Sequence, residues 1–165
     1  MIFFFVLSVY AHGQITTDTV RYVIDGDTVQ FKTMNCRFAY VDTPESGDNP
    51  KALKDSRRYN IPLQEIYQAG RLAKRYTKSF IRKGASYSID VKKRGRYGRN
   101  ICEIFLEDGK SFNKKIVKDG FAVPFWRYIP LTKKGEYYGA VKQAQRGHKG
   151  LWRISPYLMR RMLGE

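Results

Sequence analysis

The sequence has little cysteine, little histidine and few acidic residues. Its 165 residues include two Cys and two His, which excludes a disulfide-dense scaffold, and no Cys-x-x-Cys or Cys/His cluster indicates a zinc site. Lys and Arg number 31 against 15 Asp and Glu, a formal net charge of +16. In a chain of single-domain length this excess indicates a polyanionic partner: nucleic acid, an anionic membrane or a sulfated glycan. Charge alone does not choose among them.

Long hydrophobic runs are also missing. The most apolar stretch, residues 2–11, is shorter than the about 20 residues that a membrane-spanning helix needs. It matches the apolar region of a signal peptide and is followed by small residues that permit cleavage, but a basic segment does not precede it. We expect residues 1–13 to be a signal peptide with a truncated or misassigned start, and residues 14–165 to form one exported domain without stable membrane association. The alternative for residues 1–13 is a buried N-terminal strand.

Hydrophobic periodicity predicts an α+β fold. Residues 19–32 are typical of two strands around the turn Asp25-Gly26-Asp27. Further strands are predicted over residues 36–41, 87–91 and 100–106, and helices over 64–82, 111–119 and 133–147. The polar stretch over residues 46–62 is expected to be an exposed loop. Five short strands with about three helices suit a closed antiparallel barrel of the OB type.

Three acidic side chains stand near the ends of predicted strands. Asp27 follows the hairpin turn, Asp42 ends the third strand, and Glu45 comes three residues later. Either aspartate alone would more often be an ordinary turn residue. Together in a chain short of acids, two carboxylates with a backbone carbonyl and water make a hard oxygen site suited to Ca²⁺, and Glu45 could hold a water beside it.

Two arginines accompany these acids. Arg37 lies on the predicted strand before Asp42, and Arg99 is the last residue of the basic loop over residues 92–99. Guanidinium groups bind phosphate oxygens bidentately and stabilise the charge that develops on a five-coordinate phosphorus. Carboxylates, a metal ion and two arginines are the components of metal-assisted phosphodiester hydrolysis.

The acids and arginines lie in short motifs, and further motifs follow them along the chain. VIDGDTV (residues 23–29), RFAYVDTPES (37–46) and RYGR (96–99) are followed by NKKIVKDGFA (113–122) and AQRGHKGLW (144–152). The set resembles the signatures of the staphylococcal, or micrococcal, thermonuclease-type nuclease family over residues 19–152. The resemblance implies a five-stranded OB-type barrel and Ca²⁺-dependent cleavage of DNA and RNA with little sequence preference.

The resemblance also implies roles for individual residues. Asp27 and Asp42 would supply metal-binding carboxylates, Thr43 would supply its backbone carbonyl, and Asp25 would support the turn. Glu45 would orient or deprotonate the attacking water. The reacting phosphate would be bound by two residues, Arg37 and Arg99.

Substrate contacts are carried over from the same resemblance. Arg96 and Tyr97 would lie near nucleotide phosphates, and Trp126 and Tyr128 would form an aromatic pair beside the base. Aromatic rings stack on any base, so such a pair is tolerant of sequence. The alternative for Trp126 is a core residue.

The two cysteines have the opposite strand parity to the two arginines. Cys36 neighbours Arg37, and Cys102 is three residues past Arg99, so both should point into the barrel. They could form a disulfide or remain buried thiols, and the thiols are favoured because the sequence does not give their separation.

A different class of function remains open. A non-catalytic OB-type module that binds single-stranded nucleic acid needs the arginines and aromatics but not Asp27, Asp42 and Glu45. The presence of all three acids favours the phosphodiesterase. We expect it to be a monomer that acts on DNA and RNA, with single strands favoured. A cationic membrane-active protein would not explain the acids.

Overall fold

A computed structural model describes residues 14–95 and 99–165. The predicted signal peptide over residues 1–13 and two predicted substrate-binding residues, Arg96 and Tyr97, lie outside the described residues.

Most of the strands form one barrel. The strands in chain order are β1 (Gln14–Asp25), β2 (Thr28–Phe31), β3 (Asn35–Phe38), β4 (Val41–Asp42), β5 (Ser86–Arg94), β6 (Arg99–Phe105) and β7 (Val123–Pro124). A closed barrel has the strand order β1-β2-β3-β6-β5, and the short β4 and β7 pair separately. The predicted five-stranded OB-type barrel is confirmed.

The sequence predicted an antiparallel barrel, but the barrel in the structure is mixed. Strands β3 and β6 pair in parallel, whereas the other neighbours in the barrel pair antiparallel. A tight hairpin can join only antiparallel strands, whereas parallel strands need a long connection between them. The connection from β3 to β6 is long and includes β5, so parallel pairing is possible.

Helices cover the barrel and its ends. They are α1 (Pro50–Tyr59), α2 (Leu63–Phe80), α3 (Phe112–Lys118), α4 (Leu131–Arg146), α5 (Leu151–Ile154) and α6 (Pro156–Leu163), with a 3₁₀ turn at Trp126–Tyr128. The three predicted helices correspond to α2, α3 and α4, and the others were not predicted. Within the described ranges, none of the helices combines the length and apolar character needed to cross a membrane.

The expectation of an exposed loop over residues 46–62 was wrong, since α1 lies there. Its N-terminus is capped by the side chain of Asn49, which accepts a hydrogen bond of 2.9 Å from the backbone N–H of Ala52. A proline occupies the first helical position, where its missing N–H costs nothing. Ala52, Asp55 and Tyr59 are buried. The segment is polar, and one of the residues that α1 buries is the carboxylate Asp55, so hydrophobic periodicity did not indicate a helix.

The apolar stripe predicted for α2 packs on the core. Ile66, Ala69 and Ala73 are each at most 1% exposed. Tyr76 stacks on Phe121 with ring centroids 4.3 Å apart. Spacings of three and four residues bring these side chains to one helix face, as amphipathic periodicity requires.

A buried amide ties α3 to the strand that carries Asp42. Asn113 is fully buried and donates to the carbonyls of Ala39 (3.0 Å) and Cys102 (2.8 Å), and it accepts from the N–H of Ile104 (3.1 Å). Three hydrogen bonds satisfy this side chain in the core, where an unpaired amide would be costly. They fix the turn between β3 and β4, and hence the start of the loop with Asp42.

The two cysteines form a disulfide between β3 and β6. Cys36 and Cys102 are both fully buried, as their strand parity predicted, and their Cα atoms are 5.8 Å apart. This separation is typical of disulfides. The preference for two free thiols was wrong, because strand parity gives direction but not distance.

We expect reduction of this disulfide to destabilise the protein. The bond joins residues 66 positions apart, and closing a loop of that length stabilises a fold by about 4 kcal/mol on a chain-entropy estimate. Urea unfolding with and without reductant measures the loss. A Cys36→Ala/Cys102→Ala variant is the control and should be insensitive to reductant. Equal unfolding midpoints for the reduced and oxidised wild type would contradict the prediction.

Candidate active site

Small residues on one face of α2 hold two loops together. An added Cβ at Gly70 would lie 2.2 Å from the carbonyl oxygen of Glu45, so only glycine permits this contact. A Cβ at Gly26 would lie 2.9 Å from the Cβ of Ala73. The hydroxyl of Thr77 donates to the carbonyl of Gly26 at 2.6 Å. The turn over residues 25–27 and the loop over 43–46 are therefore positioned by the same helix.

Arg37 bridges the two aspartates at the centre of the site. Its Nη2 lies 2.9 Å from Oδ2 of Asp27 and 2.6 Å from Oδ1 of Asp42, and its Nη1 lies 3.3 Å from Oδ1 of Asp27. Asp27 is 2% exposed, and its Oδ1 also accepts from the hydroxyl of Thr28 at 2.8 Å. The predicted juxtaposition of Asp27, Asp42 and Arg37 is present. The negative charge of Asp27 is the main cause that raises the pKa of Arg37, and the guanidinium therefore stays charged.

Residues from α1 hold both oxygens of the Glu45 carboxylate. Oε2 accepts from Nδ2 of Asn49 at 2.7 Å, and Oε1 lies 2.8 Å from Nζ of Lys51. The same ammonium lies 3.4 Å from Oδ1 of Asp42 and 3.4 Å from the carbonyl oxygen of Thr43. Sequence reasoning missed Asn49 and Lys51, although Asn-Pro before a helical stretch is a capping signal that could have revealed α1.

The acids of the site differ in proton affinity. Burial, together with the charges of Glu45 and Asp27, raises the pKa of Asp25 to about 6, although the N–H of Gly26 opposes this. Burial also acts to raise the pKa of Glu45, but the charge and hydrogen bond of Lys51 and the hydrogen bond from Asn49 act together against it, and that pKa is lowered. At neutral pH, Glu45 is therefore ionised and able to accept a proton.

We expect Asp25→Asn to stabilise the metal-free protein at high pH. The folded chain holds the Asp25 proton more tightly than the unfolded chain, so stability falls as pH rises from 3.8 to about 6. Asparagine removes this loss, and the free energy of unfolding should rise by about 1–3 kcal/mol at pH 8 and hardly change at pH 4. Urea unfolding in chelator at both values is the measurement. Glu107→Gln, which alters an exposed carboxylate, is the control, and an equal gain at both values would refute the prediction.

The oxygens of this cluster fit a hard cation. Oδ2 of Asp27 is buried without a hydrogen bond, although Arg37 lies close to it. Oδ1 of Asp42 and the carbonyl of Thr43 converge on one point, since both lie 3.4 Å from the ammonium of Lys51. Across residues 14–95 and 99–165, no three His, Cys, Asp or Glu side chains form a metal-binding group, so a metal ion would rely on two carboxylates, a carbonyl and water.

Arg99 lies on the same side of the barrel wall as Arg37. In the parallel ladder, Asn35 faces Arg99 and Arg37 faces Ile101, which places both arginines on one face of neighbouring strands. Arg99 is exposed, and it forms no ion pair within the part of the chain that the structure describes. The structure thus brings Arg37 into the acidic cluster and places Arg99 on the same face of the neighbouring strand, without a contact to that cluster among the described residues.

An aromatic groove opens next to Arg37. It has a volume of about 520 Å³ and is lined by Tyr40, Phe125 and Tyr128 among others. Tyr128 is 60% exposed, and Phe125 meets it edge-on with ring centroids 4.8 Å apart. Trp126 lines a different groove, against α4, and packs partly on the core. The structure therefore places Phe125, rather than Trp126, beside Tyr128, and a substrate role for Trp126 stays a prediction.

The sequence of this chain is similar to those of known proteins. The family described as staphylococcal nuclease homologue matches residues 35–154 of this chain. The chain belongs to the staphylococcal nuclease family. Within the matched span of the nuclease family lie Arg37, Asp42, Glu45 and Arg99.

Curated relatives carry several names. Thermonuclease of Staphylococcus hyicus is 34% identical over 138 residues, which is 79% of this chain and 72% of that protein. Endonuclease YhcR of Bacillus subtilis is 29% identical over 147 residues, 83% of this chain but only 11% of YhcR. Succinoglycan biosynthesis protein ExoI of Rhizobium meliloti is 28% identical over 137 residues, 81% of this chain and 63% of ExoI. The matched segment of this chain thus spans less than two thirds of YhcR and of ExoI.

Proposed function

We propose that this protein is a Ca²⁺-dependent phosphodiesterase that hydrolyses DNA and RNA with little sequence preference. The observation that carries the proposal is the bridge that Arg37 makes between Asp27 and Asp42, with the ionised carboxylate of Glu45 on the adjoining loop. Membership of a family with nuclease-named relatives supports it.

Each residue of the cluster has a distinct part in the proposed reaction. Arg37 and Arg99 would donate hydrogen bonds to phosphate oxygens, whose negative charge increases in the five-coordinate transition state. Glu45 would accept the proton of the attacking water. Asp27, Asp42 and the carbonyl of Thr43 would hold Ca²⁺, which when bound polarises a phosphate oxygen.

The aromatic groove supports a preference for single strands. Phe125 and Tyr128 are 45% and 60% exposed and lie in the groove that Arg37 also lines. Unpaired bases can stack on exposed rings, whereas bases in a duplex are already stacked on one another. Arg96, Tyr97 and Trp126 remain proposed as further contacts to the substrate.

Export and a monomeric state form part of the same proposal. The apolar run over residues 2–11 supports export. The buried disulfide between Cys36 and Cys102 supports it independently, because disulfides persist mainly in oxidising compartments. Asp27, Asp42, Glu45 and Arg37 all come together within one chain, so the proposed site needs no second copy to supply these residues.

The test is hydrolysis of labelled single-stranded DNA, duplex DNA and RNA by the purified protein. Ca²⁺ should support hydrolysis, chelator should abolish it, and renewed Ca²⁺ should restore it. Single strands should be cut faster than duplex. Cleavage that is indifferent to chelator would refute the calcium requirement, and retention of the strand in a gel shift without cleavage would instead support the non-catalytic binding module.

A further inference from the structure

The ammonium of Lys51 lies among the oxygens of the proposed metal site. Its Nζ is 2.8 Å from Oε1 of Glu45, 3.4 Å from Oδ1 of Asp42 and 3.4 Å from the carbonyl oxygen of Thr43. Two of these atoms belong to the residues proposed to bind Ca²⁺, and the third belongs to the proposed base. A positive charge of this chain thus occupies the oxygens that a cation would need.

We propose that Lys51 is a built-in competitor of the divalent cation and sets the Ca²⁺ concentration at which the site fills. The inference rests on the proposed function. Calcium binds oxygen at about 2.3–2.6 Å, so an ion held by Asp42 and Thr43 would lie within a few ångströms of the ammonium. Like charges so close repel strongly at a partly buried site. The ammonium must leave these oxygens when the ion binds.

The carboxylates of the cluster outnumber the cationic side chains that contact them. Asp27, Asp42 and Glu45 contact only two such side chains within the described residues, Arg37 and Lys51, and the buried Oδ2 of Asp27 lies 2.9 Å from Nη2 of Arg37. A divalent ion together with Arg37 would balance the charges of these three carboxylates without the lysine. Lys51 could therefore leave their oxygens while their charge stays compensated.

Asp55 gives the ammonium a contact outside the proposed metal site. Its Oδ2 lies 3.3 Å from Nζ of Lys51, one helical turn further along α1, and it belongs to neither the proposed metal ligands nor the base. The Lys51 side chain is 36% exposed, so it has room to turn towards Asp55 and solvent. Asp55 would thereby lower the cost of moving the lysine out of the site.

Calorimetric titration of the purified protein with Ca²⁺, in the absence of nucleic acid, tests the competition. Lys51→Met keeps the length of the side chain without its charge and should bind Ca²⁺ at least about tenfold more tightly than the wild type. Lys54→Met removes an exposed charge from the same helix and should change the affinity less than about twofold. Unfolding temperatures in chelator and in Ca²⁺ give a second readout, and the gain on adding Ca²⁺ should be larger for Lys51→Met.

Asp55→Asn gives an expectation of the opposite sign. It should weaken Ca²⁺ binding about threefold in the wild type, yet hardly at all in the Lys51→Met background, because its effect passes through the lysine. Equal Ca²⁺ affinities for wild type, Lys51→Met and Lys54→Met would overturn the inference and leave the proposed function standing. Absence of Ca²⁺ binding in every variant would overturn both.

Discussion

Glu45→Gln should lower kcat by about 10²–10⁴-fold while leaving the affinity for nucleic acid nearly unchanged. The amide keeps the shape of the side chain but cannot accept a proton from water. It also changes the anchoring, because Asn49 and Lys51 both donate to Glu45, one to each oxygen. An amide nitrogen facing either donor cannot accept that bond.

Steady-state kinetics on one labelled single strand at fixed Ca²⁺ and salt provide the measurement. Glu107→Gln makes the same chemical change at an exposed position and is the matched control. A gel shift in chelator reports binding separately from turnover. An unchanged kcat would remove Glu45 from the proposed mechanism.

Arg37→Lys should lower kcat by about 10²–10³-fold, which is typical for loss of a donor aimed at charge in a transition state. Lysine keeps the charge but not the planar fork that can serve two oxygens at once. Loss of the planar fork also affects the protein without substrate, since one guanidinium contacts Asp27 and Asp42 together. We therefore expect a lower unfolding temperature as well.

Arg94→Lys separates geometry from charge in this experiment. Arg94 is exposed and lies on the rim of the groove that contains Arg37, so it contributes nearby charge without touching the carboxylates. The kcat of the Arg94→Lys variant should fall less than about threefold, because a peripheral phosphate contact depends on charge more than on geometry. Similar small losses in both variants would show that the site attracts the polyanion only by its charge.

The barrel could be predicted from the sequence because its signals are local. A turn of Asp25-Gly26-Asp27 between β-branched residues predicts a hairpin, and β1 and β2 pair there. Steps of three and four residues predict α2 and place Ile66 on the core. Where a long connection intervenes, pattern fails: the parallel pairing of β3 with β6 depends on how the chain returns.

The site was predictable in its acids and in Arg37 but not in its supporting residues. Motif order identifies Asp42 and Glu45, whereas the role of Lys51 depends on how α1 folds back on the loop that they share. The same limit applies to Phe125, whose position beside Tyr128 arises from the local 3₁₀ turn. The contacts of Lys51 depend on the fold of α1 and the aromatic pair depends on a short turn, and hydrophobic periodicity carries no information about either.

Because α2 contacts both loops on one face only, its positions fall into two groups for protein engineering. Gly70, Ala73 and Thr77 contact the segments that carry the acids and so fix their distance from the helix. An added methyl group at Gly70 would lie 2.2 Å from a backbone oxygen. Arg71 and Arg75 line an outer groove instead. A library that randomises the outward positions and fixes the inner three could alter surface charge while the spacing between Asp27 and Asp42 stays as it is.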